Sequence, residues 1–189
     1  MKSTIHEYQK RKYYRMSKKI AILLFVLLPA FLFAQSSFDK FEGKDGVSSV
    51  NVSKKMFEMM SKVKVDAKDK EMQQYLNLLK KLDNLKVLTT SNAKIATDMK
   101  SSVTSYLKSN PLEELMRANS DGKDVKIYIK SAGSSSIVKE LLMFMESSSK
   151  DTPSVLLSLT GEFDLDEISS LTERLNLPGK EELKKASKK

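Results

Sequence analysis

Apolar and polar positions follow two different periods along the chain. A period of two predicts strands, and apolar residues three and four apart predict helices that bury one side. The Asp121-Gly122 pair predicts a tight turn between two strands. Strands are predicted at residues 47–53, 85–91, 112–120, 123–130 and 154–160. Helices are predicted at residues 56–63, 72–82, 95–107 and 137–145, with a short one between Asp164 and Pro178.

The order of these elements predicts the fold class. From Leu85 to Thr160 it is strand, helix, strand, strand, helix, strand, which is the ferredoxin-like (βαββαβ) arrangement. We therefore expect an α+β two-layer sandwich, with a mainly antiparallel sheet and helices packed on one face. An N-terminal strand and extra helices add to this core. The predicted domain is 47–178, after an entry segment at 35–46 and before a mobile charged tail at 179–189.

The most apolar stretch lies near the N-terminus. Ile20 to Ala34 is a run of fifteen residues, shorter than the roughly 20 that a membrane-spanning helix needs. A basic segment precedes it, and small Ala34 ends it, as in a secretory signal peptide. We expect residues 1–34 to be a signal peptide cleaved between Ala34 and Gln35. The alternatives are a retained anchor, a genuine cytoplasmic tail before the run, or a translation start at Met16.

Removal of this leader changes the charge and excludes several chemistries. The leader holds seven basic residues and one acid, so the formal net charge falls from +9 to +3. The remaining lysines alternate with acids, which does not predict nucleic-acid binding. The single histidine is His6, and cysteine is missing. We expect no disulfide, no lipid anchor, no catalytic His or Cys, and no cofactor or metal site.

Three other patterns have a structural interpretation. Ser136 and Lys139 match the Ser-x-x-Lys motif of penicillin-binding enzymes, but the same spacing recurs elsewhere in this Ser- and Lys-rich chain. Asp164 and Glu167 predict a helix capping box rather than a calcium loop. The methionines lie on apolar helical stripes, which favours core packing over a thioether copper site. These methionines are Met56, Met59, Met60, Met143 and Met145.

One surface is predicted to bind a partner. If helices cover one face of the sheet, Lys126, Tyr128 and Lys130 lie on the other. An aromatic ring flanked by ammonium groups suits a partner or ligand with some negative charge. Lys86, Leu88 and Thr90 are expected on the neighbouring strand. The competing interpretation is an ordinary solvated sheet face.

Four segments carry a resemblance to a known family. They are FDKFEGKDGVSSVNVSKKMFEMM, LKVLTTSNAKIATDMKSSVTSYLKS, LEELMRANSDGKDVKIYIK and LLSLTGEFDLDEISSLTERLNLPG. From Phe38 to Lys188 the chain resembles domain-of-unknown-function family 4252. The resemblance implies an exported protein of Gram-negative bacteria, periplasmic or secreted, and an association with envelope-responsive sigma factors. It implies no catalytic residues.

These expectations favour a binding function over an enzymatic one. We expect an exported cell-envelope protein that recognises an envelope protein or a small ligand, linked to the envelope stress response. Contact with the membrane is expected only through the signal peptide. A carboxylate-dependent hydrolase of envelope polymer is one alternative and predicts a deep cleft with two acids. A small-ligand or lipid carrier is the other and predicts an apolar cavity.

Overall fold

The computed structural model describes residues 37–66, 68–120, 122–133, 136–149 and 151–186. By its internal contacts the chain divides into two units, Met1–Asp39 and Lys40–Lys189. All strands and α-helices given below belong to the second unit. The predicted signal peptide, its cleavage site at Ala34 and Gln35, and the alternative start at Met16 lie outside the described residues.

The described part of the second unit holds six strands and five α-helices. The strands are β1 (Ser48–Ser53), β2 (Leu82–Thr90), β3 (Glu113–Ser120), β4 (Lys123–Ser131), β5 (Ile137–Ser147) and β6 (Ser154–Asp164). The helices are α1 (Lys54–Met60), α2 (Lys70–Lys81), α3 (Ala93–Ser109), α4 (Ile168–Arg174) and α5 (Lys180–Ala186). The strands form one antiparallel sheet in the order β1-β2-β6-β5-β4-β3. The predicted α+β class is confirmed.

The larger core covers one face of the sheet. Side chains alternate between the two faces along a strand, so Val87, Ile127, Met143 and Leu157 share this face and are buried. Helices α1, α2, α4 and α5 contribute buried residues to the same apolar cluster. We call it the four-helix face.

The opposite face carries helix α3 and is called the one-helix face. Leu88, Leu142, Phe144 and Leu156 are buried there. Helix α3 contacts β2 and β5, and the Tyr106 hydroxyl on α3 donates to a carboxylate oxygen of Glu140 on β5. Helices therefore cover both faces, and the prediction of a two-layer sandwich with helices on one face is wrong.

The segment from 137 to 145 was predicted as a helix and is strand β5. Its apolar residues lie on both faces because β5 is a central strand: Leu141 and Met143 face the four-helix core, and Leu142 and Phe144 face α3. Such two-sided burial gives a nearly continuous apolar run, which alternation does not mark. The helix prediction fails because pairing with β4 and β6 overrides the helix propensity of Lys, Glu, Leu and Met.

The ferredoxin-like core is not confirmed. With β5 as a strand, the stretch from β2 to β6 holds a single helix, α3, among its described residues. Strands β3, β4, β5 and β6 pair successively as antiparallel neighbours. Helix α3 carries the chain across the sheet from β2 to the far edge strand β3.

The C-terminal segment and two methionines also differ from the predictions. Residues Lys180–Ala186, expected in a charged tail, form α5, because Leu183 and Ala186 lie one helical turn apart and are both buried. Met143 and Met145 are buried as predicted, but Met56 and Met59 are exposed, because α1 buries its other side through Phe57. Among the described residues, none of the helices has the length and apolar character needed to cross a membrane.

The predicted capping box is present. The Asp166 amide donates to the Asp164 carboxylate at 3.1 Å, and the Asp164 amide donates to the Glu167 carboxylate at 3.2 Å. These bonds satisfy amides of the 3-10 turn Leu165–Glu167 that leads into α4. Asp164 and Glu167 therefore have the structural role that their spacing predicts.

Candidate functional site

Three residues of β4 make up the predicted partner surface. Lys126, Tyr128 and Lys130 lie on the one-helix face, as their alternation with buried Val125 and Ile127 predicts. Strand β4 is second from the sheet edge, next to β3. Helix α3 packs mainly against β5 and β2, and on β4 Lys126 and Tyr128 are half-buried while Lys130 is exposed.

The edge strand β3 adds two charged side chains beside them. Glu114 pairs with Tyr128 and Arg117 with Lys126 in the strand register. The Arg117 guanidinium donates to both carboxylate oxygens of Glu114, at 3.1 and 2.6 Å. This hydrogen bond lowers the pKa of Glu114, and the same bond raises the pKa of Arg117. The ion pair joins two exposed side chains of β3 on the same face of the sheet as Tyr128 and Lys126.

A second ion pair lies at the other end of the same surface. The Lys126 ammonium lies 3.1 Å from the Asp124 carboxylate. We define the open half-sheet as six residues of β3 and β4 on the one-helix face. They are Glu114, Arg117, Asp124, Lys126, Tyr128 and Lys130. Three cations and two carboxylates give this surface a formal charge of +1, so it is less basic than the β4 residues alone predict.

The residues predicted to extend this surface are elsewhere. Strand β2 is separated from β4 by β6 and β5, so Lys86, Leu88 and Thr90 are not on a neighbouring strand. All three are buried. Lys86 forms an ion pair with Glu42, and the Thr90 hydroxyl donates to the Gly46 carbonyl at 2.7 Å. They hold the segment before β1 against the sheet.

Polar contacts mark the boundary between the covered and open parts of the one-helix face. The Tyr106 hydroxyl donates to buried Glu140 at 2.6 Å. Burial first, and then this hydrogen bond to a carboxylate, raises the pKa of Tyr106 well above its usual value. On the same helix, the Lys100 ammonium donates to the Glu146 carboxylate at 2.6 Å, and this hydrogen bond raises the pKa of Lys100. Both bonds join α3 to β5 and fix where the cover ends.

A cleft of about 540 Å³ lies between α2 and α4 on the other side of the molecule. Tyr75 and Leu78 line it, and Arg174 lies 5.1 Å above the Tyr75 ring centre. Its acids include Glu71, Asp166, Glu167 and Glu173. Lys81 lies 2.9 Å from Glu167, and Lys184 lies 2.7 Å from Glu173, whose pKa it lowers. A general acid needs a raised pKa, so these pairings do not favour acid catalysis by Glu173.

A second cleft, of about 690 Å³, lies where α2 meets β5 and β6. Four lysines line it together with Asp83 and Glu162. Lys139 of the Ser-x-x-Lys match is one of them, whereas Ser136 is exposed just before β5. In the part of the chain that the structure describes, no hydrogen bond joins Ser136 to Lys139. The motif is therefore not assembled as a nucleophile and base.

The arrangement of the described acidic side chains does not indicate a metal site. Within the described ranges, no group of three or more His, Cys, Asp or Glu side chains is placed to hold a metal ion. The acids of the cleft between α2 and α4 are spread over those two helices and the turn between β6 and α4.

Sequence reasoning missed Glu114 and Arg117 as members of the surface. A signal for Arg117 was available, because a two-residue turn at 121–122 places Arg117 opposite Lys126. A bulge between Glu114 and Met116 shifts the register and brings Glu114 opposite Tyr128. The bulge has no mark in the sequence.

Comparison with known proteins assigns the chain to a family. An α+β domain with a six-stranded antiparallel sheet is the class that the fold defines. The model of the family described as a domain of unknown function (DUF4252) matches residues 41–171, and the chain belongs to that family. The match runs from the segment before β1 into α4. No curated protein and no solved structure is detectably similar to this chain.

Proposed function

We propose that the protein is an exported cell-envelope protein that acts by binding a partner through the open half-sheet. The observation that carries the proposal is the position of Tyr128. It is half-buried in the middle of the open half-sheet, between Lys126 and Lys130 and opposite Glu114, which forms an ion pair with Arg117. Tyrosine and arginine are enriched among the residues that dominate binding energy in protein interfaces.

The charges of this surface favour a partner with complementary mixed charge. Arg117 and Glu114, and Lys126 and Asp124, already form ion pairs. Lys130 is exposed and adds the unbalanced positive charge. Charges that are held in place before binding lose little side-chain freedom on association, so they favour specific recognition.

Export is the second part of the proposal. It rests on the apolar run Ile20 to Ala34 with a small residue at its end and a basic segment before it. An envelope location, periplasmic or secreted, brings the open half-sheet into contact with envelope proteins. A role in envelope stress is proposed as the context of that binding.

The two alternatives have less support from the geometry. A carboxylate-dependent hydrolase would use the acids of the cleft between α2 and α4, where Glu167 and Glu173 are already paired with lysines. A carrier needs an apolar cavity, whereas charged side chains line both clefts described above. Binding through the open half-sheet needs no rearrangement of these groups.

Affinity capture tests the binding surface. Native envelopes are mildly crosslinked, and the tagged protein is purified from them. The double variant Tyr128→Ser/Lys130→Ala is compared with the control variant Lys108→Ala. Lys108 is exposed in the last turn of α3, outside the open half-sheet. We expect the double variant to reduce recovery of a reproducible partner about tenfold or more and the control to leave it unchanged. Equal recovery with both variants removes the open half-sheet as the binding surface.

Intact-mass measurement and cell fractionation test export. Protein from its own host is expected outside the cytoplasm with Gln35 as its first residue. A cytoplasmic chain that begins at Met1 or Met16 contradicts the proposal of export. The affinity experiment remains interpretable in that case, because it uses variants of β4 only.

A further inference from the structure

A second surface, unrelated to the open half-sheet, exposes large apolar side chains. Val50, Met56, Met59 and Val63 have relative exposures of 52%, 48%, 58% and 60%. Met56 and Met59 are three residues apart on α1, and Val63 follows four residues later. The three-residue spacing places Met56 and Met59 on one side of α1, and Val63 is exposed in the segment that follows the helix. We call these four residues the outer apolar stripe.

The outer apolar stripe is separate from the core side of the same helix. Phe57 is fully buried, Met60 packs against the core, and Ser61 is buried at the end of the helix. Helix α1 is thus held in place by its inner side while methionines line its outer side. Val50 lies on the adjoining edge strand β1, whose first four residues are exposed.

Lysines flank this stripe along the chain. Lys55, Lys62 and Lys64 are exposed, and within the described residues none of them has a carboxylate partner. Lys54 forms an exposed ion pair with Asp83 at 2.9 Å. Glu58 and Asp66 are the acids of residues 54–66, against four lysines. The surface therefore combines exposed apolar side chains with a net positive rim.

We propose that the outer apolar stripe and its lysines dock the folded protein on an anionic lipid bilayer surface. Flexible apolar side chains insert at the level of the headgroups, and lysines around them contact anionic headgroups. The charge of the rim selects an anionic bilayer over a neutral one. The proposal departs from the expectation that the membrane is contacted only through the signal peptide, and it does not depend on binding at the open half-sheet.

Insertion is measured with a single tryptophan. The chain contains no tryptophan, so Met59→Trp gives a single-site reporter in the full chain as its host produces it. Vesicles of phosphatidylcholine alone are compared with vesicles in which about 30% of the lipid is phosphatidylglycerol. We expect a blue shift with the anionic vesicles, and quenching when the lipid acyl chains are brominated. Val63→Trp is the second reporter and is expected to behave alike.

Matched controls separate this surface from other contacts with lipid. Ser105→Trp places the reporter at an exposed position of α3, where neither a blue shift nor quenching is expected. In the Met59→Trp background, Lys62→Gln is expected to weaken partition into anionic vesicles about fivefold. The triple change Lys55→Glu, Lys62→Glu and Lys64→Glu should abolish partition into anionic vesicles. Higher salt should also weaken this partition.

Three results overturn the proposal. The first is folded Met59→Trp and Val63→Trp protein without quenching by brominated lipid. The second is quenching that survives the triple lysine change or appears equally in Ser105→Trp. The third is a blue-shifted emission without vesicles together with a dimer in sedimentation, which would assign the stripe to an interface between two copies of the chain.

Discussion

The two faces of the sheet are built with different chemistry. On the four-helix face, Val87, Ile127, Met143 and Leu157 meet four helices in a continuous apolar cluster. Four buried polar residues of the strands, Lys86, Thr90, Glu140 and Ser154, point to the one-helix face, and Ser102 faces it from α3. The buried Ser61 and Thr172 of the four-helix face donate only to carbonyls within α1 and α4. The difference indicates that burial of apolar area stabilises the four-helix face. On the one-helix face, specific polar pairs position helix α3. The face with the polar pairs is also the one that is left partly open.

The largest effect on stability is expected on the four-helix face. Met143 is fully buried, so Met143→Ala should lower the free energy of unfolding by about 2–5 kcal/mol through lost burial and a cavity. Met59→Ala is the matched control, because the same side chain is exposed there, and it should change stability by less than about 0.5 kcal/mol. Denaturant unfolding measures both. Equal losses in the two variants would contradict the assignment of Met143 to the core.

The next effect concerns the buried ion pair of the one-helix face. The Lys86 side chain is 4% exposed and that of Glu42 is 33% exposed. Glu42→Gln leaves a buried ammonium with less compensation, and we expect a loss of about 1–3 kcal/mol. Lys86→Met should cost less, because Glu42 can turn to water while the methionine fills the space of the lysine stem. Chemical denaturation of both variants decides the order.

An exposed pair provides the control for this comparison. Lys54 and Asp83 lie 2.9 Å apart with side chains more than half exposed. Lys54→Ala should therefore cost less than either change to the Lys86–Glu42 pair, because water screens the exposed charges. If Lys86→Met proves more destabilising than Glu42→Gln, the ion pair does not hold the segment before β1 in the way described.

A smaller effect, with a pH signature, is expected at the edge of the α3 cover. Burial and the bond to Glu140 raise the pKa of Tyr106 above its ordinary value of 10.0. The folded state holds this proton more tightly than the unfolded state, so this stabilisation is complete below about pH 10 and is lost as the pH rises further. Tyr106→Phe should lower stability by about 1–2 kcal/mol at neutral pH, because Glu140 loses a donor.

The alkaline limb of the stability curve is the diagnostic measurement for Tyr106. Tyr106→Phe should make the loss of stability above about pH 10 shallower than in the unaltered chain. Burial also raises the pKa of Tyr75, so some alkaline loss remains in the variant. An unchanged slope above pH 10 would show that Tyr106 does not titrate with unfolding.

The smallest loss of stability is expected at the cap that precedes α4. Asp164→Ala removes the capping bond before α4 and should cost about 0.5–1 kcal/mol. Asp166→Ala removes an exposed carboxylate from the same turn without removing that bond, and should cost less than half as much. Thermal unfolding of the two variants separates the cap from the general effect of negative charge at a helix start.

The sequence predicts the elements whose environments differ between their two sides. Helix α3 and strand β4 each have one buried and one exposed side, so their periodicity is clear, and both are confirmed. Strand β5 is buried on both sides and has helix-forming residues, so its pattern imitates a helix. The distinction requires knowledge of β4 and β6 beside it, which local sequence does not contain.

The candidate site shows the same limit. Alternation along β4 predicts that Lys126, Tyr128 and Lys130 share a face. It does not predict that α3 crosses that face over β5 and β2, or that the bulge in β3 brings Glu114 opposite Tyr128. The open half-sheet therefore depends partly on the order of the strands in the sheet, which is set by long-range pairing.

The central claim is that the open half-sheet is the binding surface. A photoreactive phenylalanine analogue in place of Tyr128 tests it most directly, with the same analogue in place of Ser105 as the exposed control on α3. On irradiation of native envelopes, we expect a discrete adduct of higher mass from position 128 and none from position 105. Folded protein that gives no adduct from position 128, or the same adducts from both positions, would contradict the claim.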